Sequence, residues 1–399
     1  MAVREIRPGV HIVGAQDWDR RLFDALIPLP DGTSYNAYLI RGSEKTVLID
    51  TVDPTKTSEL VENLKKLGIG EIDFIVSNHA EQDHSGSIPA VLELYPSAKV
   101  MTNPKCAGFL RDLLAMGADR FIEIGDGEAV SLGDKTLQFI YAPWVHWPET
   151  MFTLLKEDKI LFTCDFLGSH YATGDPFGVD PYVIHKSAKR YYAEIMMPFR
   201  AHIKKHLEKI ASLDVEVIAP SHGPLYADPG LILGAYADWV SDRVKNEVVI
   251  PYVSMHGSTE RMVDYFASAL IEREVVPKPF NITKTDVGEL ATAIVDAATL
   301  VVATPTVLTA AHPMVVSVAY LVNALRPKLK FVAVIGSYGW GGKAAEQLTG
   351  MLTNLKAEFL EPVIVKGLPK SDDFEALDAL ADEIRRRHEE IAILRSAIA

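Results

Sequence analysis

Short apolar runs, rich in Val, Ile, Phe and Tyr and broken by Gly, Asp or Pro, dominate the first part of the chain. They predict strands over residues 10–13, 36–41, 46–49, 74–77, 99–102, 137–142, 151–155, 160–163 and 215–219. Helical spacing predicts helices over 56–67 and 104–116, the second with Asn103 as its cap and Pro104 in its first position. This mixture predicts an α/β sandwich, sheets inside and helices outside. A helix starting at Asp228-Pro229, with Leu231, Ile232, Ala235, Tyr236 and Trp239 at helical spacing, closes this part.

From Glu247 the pattern becomes a regular alternation of strands and helices. Strands are predicted over 247–254, 300–304, 331–336 and 362–365. Helices are predicted over 260–274, 315–325 and 343–355, with a last one from Asp372. The last helix carries Phe374, Leu377, Leu380, Ile384, Ile391 and Leu394 on one side. About 150 residues arranged this way predict a doubly wound parallel sheet of the flavodoxin-like kind. The chain thus reads as two domains, 1–246 and 247–399.

Composition narrows the class. A length of 399 residues exceeds one ordinary core, and 48% hydrophobic with 23% charged residues is ordinary for a soluble globular protein. A net charge of −13 argues against nucleic acid or an anionic membrane as a partner. No apolar run reaches the roughly 20 residues that span a bilayer, and the first residues lack a signal-peptide core. Two cysteines, Cys106 and Cys164, are too few for a four-thiolate iron site and read as buried and inert. A cytoplasmic setting is expected.

The strand at 74–77 runs into His79-Ala80-Glu81-Gln82-Asp83-His84, four potential metal ligands within six residues. Three other predicted strands end in metal-binding residues: His146 after 137–142, Asp165 after 160–163 and His222 after 215–219. Strand ends on one edge of a sheet converge, so these seven can meet. Seven ligands are too many for one tetrahedral metal and suit two metals sharing a carboxylate, for which Asp165, standing alone, is the natural bridge. Carboxylate-rich sets favour iron or manganese over zinc. Glu81 adds negative charge where a typical hydrolase metal has a third histidine. His11, His202, His206 and His388 read as solvated or structural; His170 and His185, in the loop-rich stretch after Asp165, read first as structural, with approach to the site as the alternative.

Three loops of the second part carry small, hydroxylated or glycine residues. Ser254-Met255-His256-Gly257-Ser258-Thr259 joins a strand to a helix, where backbone N–H groups can surround a phosphate. Thr304-Pro305-Thr306-Val307-Leu308 and Ser337-Tyr338-Gly339-Trp340-Gly341-Gly342 follow the next two central strands. Those strand ends border the crevice of a flavodoxin-like sheet, and Tyr338 and Trp340 suit the edge of a flat ring.

With these residues the chain resembles the metallo-β-lactamase superfamily, whose motif is His-x-His-x-Asp-His followed by distant His, Asp and His. Its Glu81 variant resembles the flavodiiron branch, as do Thr33-Ser34-Tyr35-Asn36-Ala37-Tyr38-Leu39, His146-Trp147-Pro148 and Pro220-Ser221-His222-Gly223. The resemblance covers nearly the whole chain. It implies one iron held by His79, Glu81 and His146, another by Asp83, His84 and His222, and Asp165 between them. The three loops look like the phosphate and ring loops of flavodoxins, which implies FMN. Two strings depart from the family: Glu194 after Tyr191-Tyr192-Ala193, where Asn is commoner, and Val307-Leu308-Thr309, where polar Asn residues are commoner and whose apolar character bears on flavin potential.

The resemblance implies reduction of dioxygen to water, of nitric oxide to nitrous oxide, or both. Phe23 and Trp147 are candidate walls of the gas pocket. An external electron donor is implied, such as rubredoxin or a reduced deazaflavin coenzyme, as is a head-to-tail homodimer or a dimer of dimers. Two rivals remain at this stage: a two-metal hydrolase with an attached flavodoxin-like module, and a redox carrier or sensor without turnover.

Overall fold

The structure is a computed structural model and describes residues 3–394. Its contacts divide the chain into two compact units. One holds the chain up to Tyr192 together with Phe199–Val240; the other holds Ala193–Pro198 and the chain from Ser241 onward.

The first unit is built on two sheets. The larger runs in the order Arg4–Arg7, Val10–Ile12, Tyr38–Arg41, Thr46–Ile49, Phe74–Val76, Lys99–Thr102 and Phe121–Glu123. It is antiparallel up to Thr46–Ile49 and parallel beyond. The smaller runs Ala129–Ser131, Thr136–Tyr141, Met151–Leu155, Ile160–Cys164 and Val217–Pro220, with only its last pair parallel. Alternate residues serve alternate cores. Tyr38, Ile40, Val47 and Ile49 pack with Phe139, Met151, Ile160 and Phe162 of the other sheet. Leu39, Leu48, Ile75 and Val100 pack with Leu60, Leu64, Val91 and Leu110 of the helices Thr57–Lys66, Ile88–Leu94 and Pro104–Leu114. A sheet covered on both faces reads as continuous apolar sequence, as these strands do. Burying each such side chain contributes about 1.5–3 kcal/mol.

Two helices of this unit were not foreseen, Pro181–Tyr191 and Arg200–Ala211. The first carries a clear start signal: the Asp180 carboxylate accepts from the N–H of Tyr182 at 2.8 Å, and Pro181 opens the first turn. The second covers the outer face of the smaller sheet, where His206 meets Phe152 edge-on.

The second unit holds a parallel sheet in the order Val276–Asn281, Lys245–Tyr252, Ala297–Val307 and Phe331–Tyr338, with Glu358–Phe359 and Val363–Lys366 together on the far edge. This is the flavodoxin order, with its switch point between the first and third strands in sequence. Val276–Asn281 was missed because Pro277 and Pro279 interrupt it; the strand pairs on one side only, where proline is tolerated. The last helix is Ser371–Glu390, so Ile391 and Leu394 lie beyond it, while Leu377, Leu380 and Ile384 are buried as expected. The helix predicted over 343–355 is shorter, Ala344–Met351. Among the described residues no helix is long and apolar enough to cross a membrane.

Buried His388 joins this helix to the sheet. Its Nδ1–H donates to Asn246 Oδ1 at 2.8 Å, and its Nε2 accepts from the Thr299 hydroxyl at 2.7 Å. One neutral tautomer satisfies both bonds, and burial depresses its pKa from 6.5 to about 4. The unfolded chain therefore binds a proton that the folded chain refuses between those two values. The contribution of neutral His388 is fully present above pH 6.5 and is lost as pH falls toward 4, by about 3 kcal/mol at most. Urea unfolding of wild type and His388→Gln at pH 7.5 and 4.5 tests this: the variant is expected to lose less stability on acidification. Equal losses would remove His388 as the cause.

Candidate metal centre and flavin loops

The seven residues predicted as metal ligands meet in the first unit. Ligand atoms of His79, Glu81, His146 and Asp165 lie within 4.8 Å of one another, and those of Asp83, His84 and His222 do the same. All hang from the C-terminal ends of strands. The His79 loop is anchored by Asp50, whose carboxylate takes the backbone N–H of Asn78 at 2.8 Å and its side-chain amide at 2.9 Å. The helix Gln82–Ser85 then turns Asp83 and His84 inward. His222 is held from the Thr33–Leu39 string. Its Nδ1–H donates to Ser34 O at 2.6 Å, and Asn36 donates to the carbonyls of Pro220 and Gly223. Gly223, at φ +78°, admits no side chain: a Cβ there would stand 2.2 Å from Ser169 Oγ.

Asp165 is central to both groups. Its Oδ1 lies 2.9 Å from His84 Nε2 and 3.3 Å from His222 Nε2; its Oδ2 lies 3.4 Å from both His79 Nε2 and His146 Nε2. The Tyr191 hydroxyl donates to Oδ1 at 2.9 Å. Glu81 Oε2 stands 3.2 Å from the Nε2 atoms of both His79 and His146. Asp83 Oδ2 is 3.0 Å from His222 Nε2 but off the line of a hydrogen bond, so both Asp83 oxygens are buried without one, as is Asp165 Oδ2.

Charge dominates the electrostatics. Burial opposes charging of His222 and His146, but Asp165 with Asp83 raises the first to about 10, and Asp165 with Glu81 raises the second to about 9. His79 is held well above the ordinary range against burial by Glu149 and Glu81. Burial also opposes ionisation of Asp165, yet the facing imidazoles hold it well below the usual carboxylate range. Four imidazoles and three carboxylates converge here with buried lone pairs that no protein donor satisfies. That donor set fits two hard-to-borderline cations, and their entry must displace the imidazole protons.

Three neighbours sharpen the picture. Phe23 stands 6.3 Å ring to ring from His222, and Trp147 packs edge-on to His79 at 4.9 Å. His170, read first as structural from sequence, lies 5.0 Å from the His222 ring. Its Nδ1 pairs with the Thr33 hydroxyl, and burial holds its pKa well below the ordinary value. His185 packs instead against Trp239. Cys106 and Cys164 are buried and unpaired with each other; burial pushes the first thiol to about 12 and the second well above its usual range.

In the second unit the predicted loops gather at the switch point. A cavity of about 200 Å³ is lined by Ser254, Met255, His256, Ser258, Thr259, Pro305, Thr306, Ser337, Tyr338 and Gly339. Thr304 and Gly342 line an adjoining cavity of about 690 Å³. Gly257, at φ +86°, makes the turn into the helix Ser258–Glu272, and the Glu260 N–H of its first turn donates to the Ser254 hydroxyl at 3.1 Å, closing the loop over the helix N-terminus. Thr259 and Ser337 hydroxyls meet at 3.1 Å, tying the first loop to the third. Val307, Leu308, Trp340 and Gly341 line neither cavity; Leu308 and Trp340 are 88% and 75% exposed. Gly367 was missed from sequence. It lines the smaller cavity from the end of the edge strand Val363–Lys366, the same signal that located the other loops. A hydroxyl-lined cradle at a helix N-terminus fits a phosphate-bearing flavin.

A metal-binding sandwich and a flavodoxin-like unit in one chain define a redox protein in class. Residues 33–223 match the family described as ODP family beta lactamase, and residues 250–378 the family described as Flavodoxin. The chain is 36% identical to a nitric oxide reductase of Moorella thermoacetica over 391 residues, covering 96% of this chain and 98% of that protein. It is 30% identical to a coenzyme F420H(2) oxidase of Methanothermobacter marburgensis, covering 96% and 99%. The solved rubredoxin oxygen:oxidoreductase of Desulfovibrio gigas superposes with a TM-score of 0.93 at 29% identity, covering 98% of this chain and 100% of that one. The chain belongs to the flavodiiron protein family, and a di-iron centre and FMN are the cofactors of that family.

Proposed function

We propose that this protein is an oxidoreductase that reduces dioxygen to water, nitric oxide to nitrous oxide, or both. His79, Glu81 and His146 would hold one iron, Asp83, His84 and His222 the other, with Asp165 shared. The observation that carries the reading is the pair of ligand groups facing one Asp165, in a chain that also has a flavin-type cradle. When bound, the irons would supply binding and reduction of the gas, four electrons and four protons for each dioxygen taken to water or two of each for a pair of nitric oxide molecules taken to nitrous oxide and water, the electrons coming through FMN.

The chain's own residues set the conditions. Glu81 places a negative charge between His79 and His146, which favours a ferric over a ferrous ion. Tyr191 fixes the orientation of Asp165 while keeping its proton, since burial and then Asp165 raise its pKa well above the usual range. Phe23 beside His222 and Trp147 beside His79 would wall the gas pocket on its two sides. In the second unit the first loop would take the phosphate and Tyr338 would face the ring. Met255, Leu308 and Trp340 are exposed at the flavin loops, and Trp18, Leu22 and Leu26 on the segment that carries Phe23. Pairing of two copies head to tail would bury such surfaces. The two cysteines are too few for a four-thiolate iron site, and the donor we propose is an external one such as rubredoxin or a reduced deazaflavin, in the cytoplasm.

The test starts from anaerobic protein of known iron and FMN content, sized by chromatography. It is reduced through FMN and then given dioxygen or nitric oxide in separate runs. Sustained consumption of at least one gas by the iron-loaded dimer is expected. Inactivity toward both would end the proposal, and two zincs in place of iron would favour the hydrolase.

A further inference from the structure

The two groups of ligands are not backed equally. Behind His79 stands Glu149, 2% exposed, its Oε1 accepting from His79 Nδ1 at 2.6 Å and from the Ala80 N–H at 3.1 Å. Its other oxygen, Oε2, is buried without a hydrogen bond, and His79 is the cation it faces. The carboxylate is held in place from its own backbone, because the Asn103 amide donates to the Glu149 carbonyl while Asn103 caps the helix Pro104–Leu114. Trp147 blocks rotation of the imidazole from the side. On the other side of Asp165 the support is neutral or missing: His222 Nδ1 donates to the backbone carbonyl of Ser34, and His84 Nδ1 is buried without a partner.

A carboxylate behind a metal-bound imidazole fixes its tautomer and raises its basicity, whereas a carbonyl does so less. We infer that Glu149 is a positioning residue that makes the two irons unequal, rendering the one at His79, Glu81 and His146 the more electron-rich and the more readily oxidised. That iron feels Glu81, the shared Asp165 and, through His79, Glu149. Its neighbour has Asp83 and the shared Asp165 as its carboxylates, with no carboxylate hydrogen-bonded behind His84 or His222. Each iron takes up one electron on going from ferric to ferrous, so the inequality appears as two separated reduction steps. The site is built so that the first electron to arrive goes to the Asp83, His84 and His222 iron.

The inference rests on the di-iron reading. The experiment is an anaerobic reductive titration of full-length, iron-loaded wild type and Glu149→Gln, with mediators and a chemical reductant, followed by electron paramagnetic resonance. Glutamine keeps an acceptor for His79 Nδ1 and removes the charge. The lower of the two steps is expected to rise by an amount matching a tenfold or greater fall in the ferric-to-ferrous binding ratio, about 59 mV for one electron. The upper step is expected to move less, so the gap narrows. A second readout is iron retention against a chelator, expected to weaken about 10–100-fold for Glu149→Ala. Unchanged steps in iron-loaded Glu149→Gln would overturn the inference and leave the di-iron reading standing; wild type without redox-active iron would overturn both. Should the glutamine variant fail to hold iron, Glu149→Asp decides. It keeps the charge and is expected to keep the two steps apart; their merging would overturn the role of charge.

Discussion

Replacing Asp165 with alanine is expected to strip the protein of both metals. Its two oxygens reach the Nε2 atoms of His79, His84, His146 and His222 at 2.9–3.4 Å, so no other ligand can be lost at such cost to both groups. Outer partners of metal ligands are worth about 10–100-fold in affinity, and a shared ligand must exceed that. Iron is expected to fall from two per chain to well below one, and gas consumption to fall with it. The metal-free protein changes as well. His222 and His146, raised to about 10 and about 9 chiefly against burial by Asp165, lose that support and shed their protons at lower pH. Metal analysis and turnover of the purified variant check this, and two irons with undiminished turnover would remove Asp165 from its assigned place.

Glu81→His is expected to keep the fold and lose the redox chemistry. The substitution gives the first metal a third imidazole and removes one negative charge from a pocket where Glu81 lies 3.2 Å from two histidines. A set richer in nitrogen favours zinc, and the lost charge favours ferrous over ferric ion. Turnover is expected to drop about 100-fold or more, equivalent to about 2.7 kcal/mol of barrier. Metal content of protein purified from iron- and zinc-supplemented cultures, with gas consumption on the same samples, measures both effects. Unchanged iron content and rate would deny Glu81 its role.

What could be read in advance follows from where each signal resides. His79, Glu81, Asp83 and His84 share one short loop, so their convergence was visible as spacing. His146, Asp165 and His222 were visible because each follows a strand, and strand ends on one edge converge. Glu149 and Tyr191 gave no such sign. Glu149 is three residues past His146 in sequence, yet it acts on His79, seventy positions away, through a fold that no local pattern encodes. Likewise the strand Val276–Asn281 hid behind its prolines, since only its edge position in the folded sheet makes them tolerable. The helix Pro181–Tyr191 is legible from Asp180-Pro181, a cap followed by a proline in the first turn. The flavin loops were located by the same strand-end rule as the metal ligands. The rule did not reveal which of their side chains turn outward, as Leu308 and Trp340 do.

The placement of the two thiols bears on how long such a protein lasts in use. A catalyst exposed to oxidants is most easily spoiled through its thiolates, which begin the path to sulfenic and sulfonic acids. Cys106 and Cys164 are both sealed in the first unit, one with its pKa near 12 and the other higher than usual. At neutral pH neither offers more than a trace of the reactive anion. The chain therefore resists the sulfur oxidation, cross-linking and disulfide scrambling that would otherwise accompany each lapse of control, and wear must begin at other side chains.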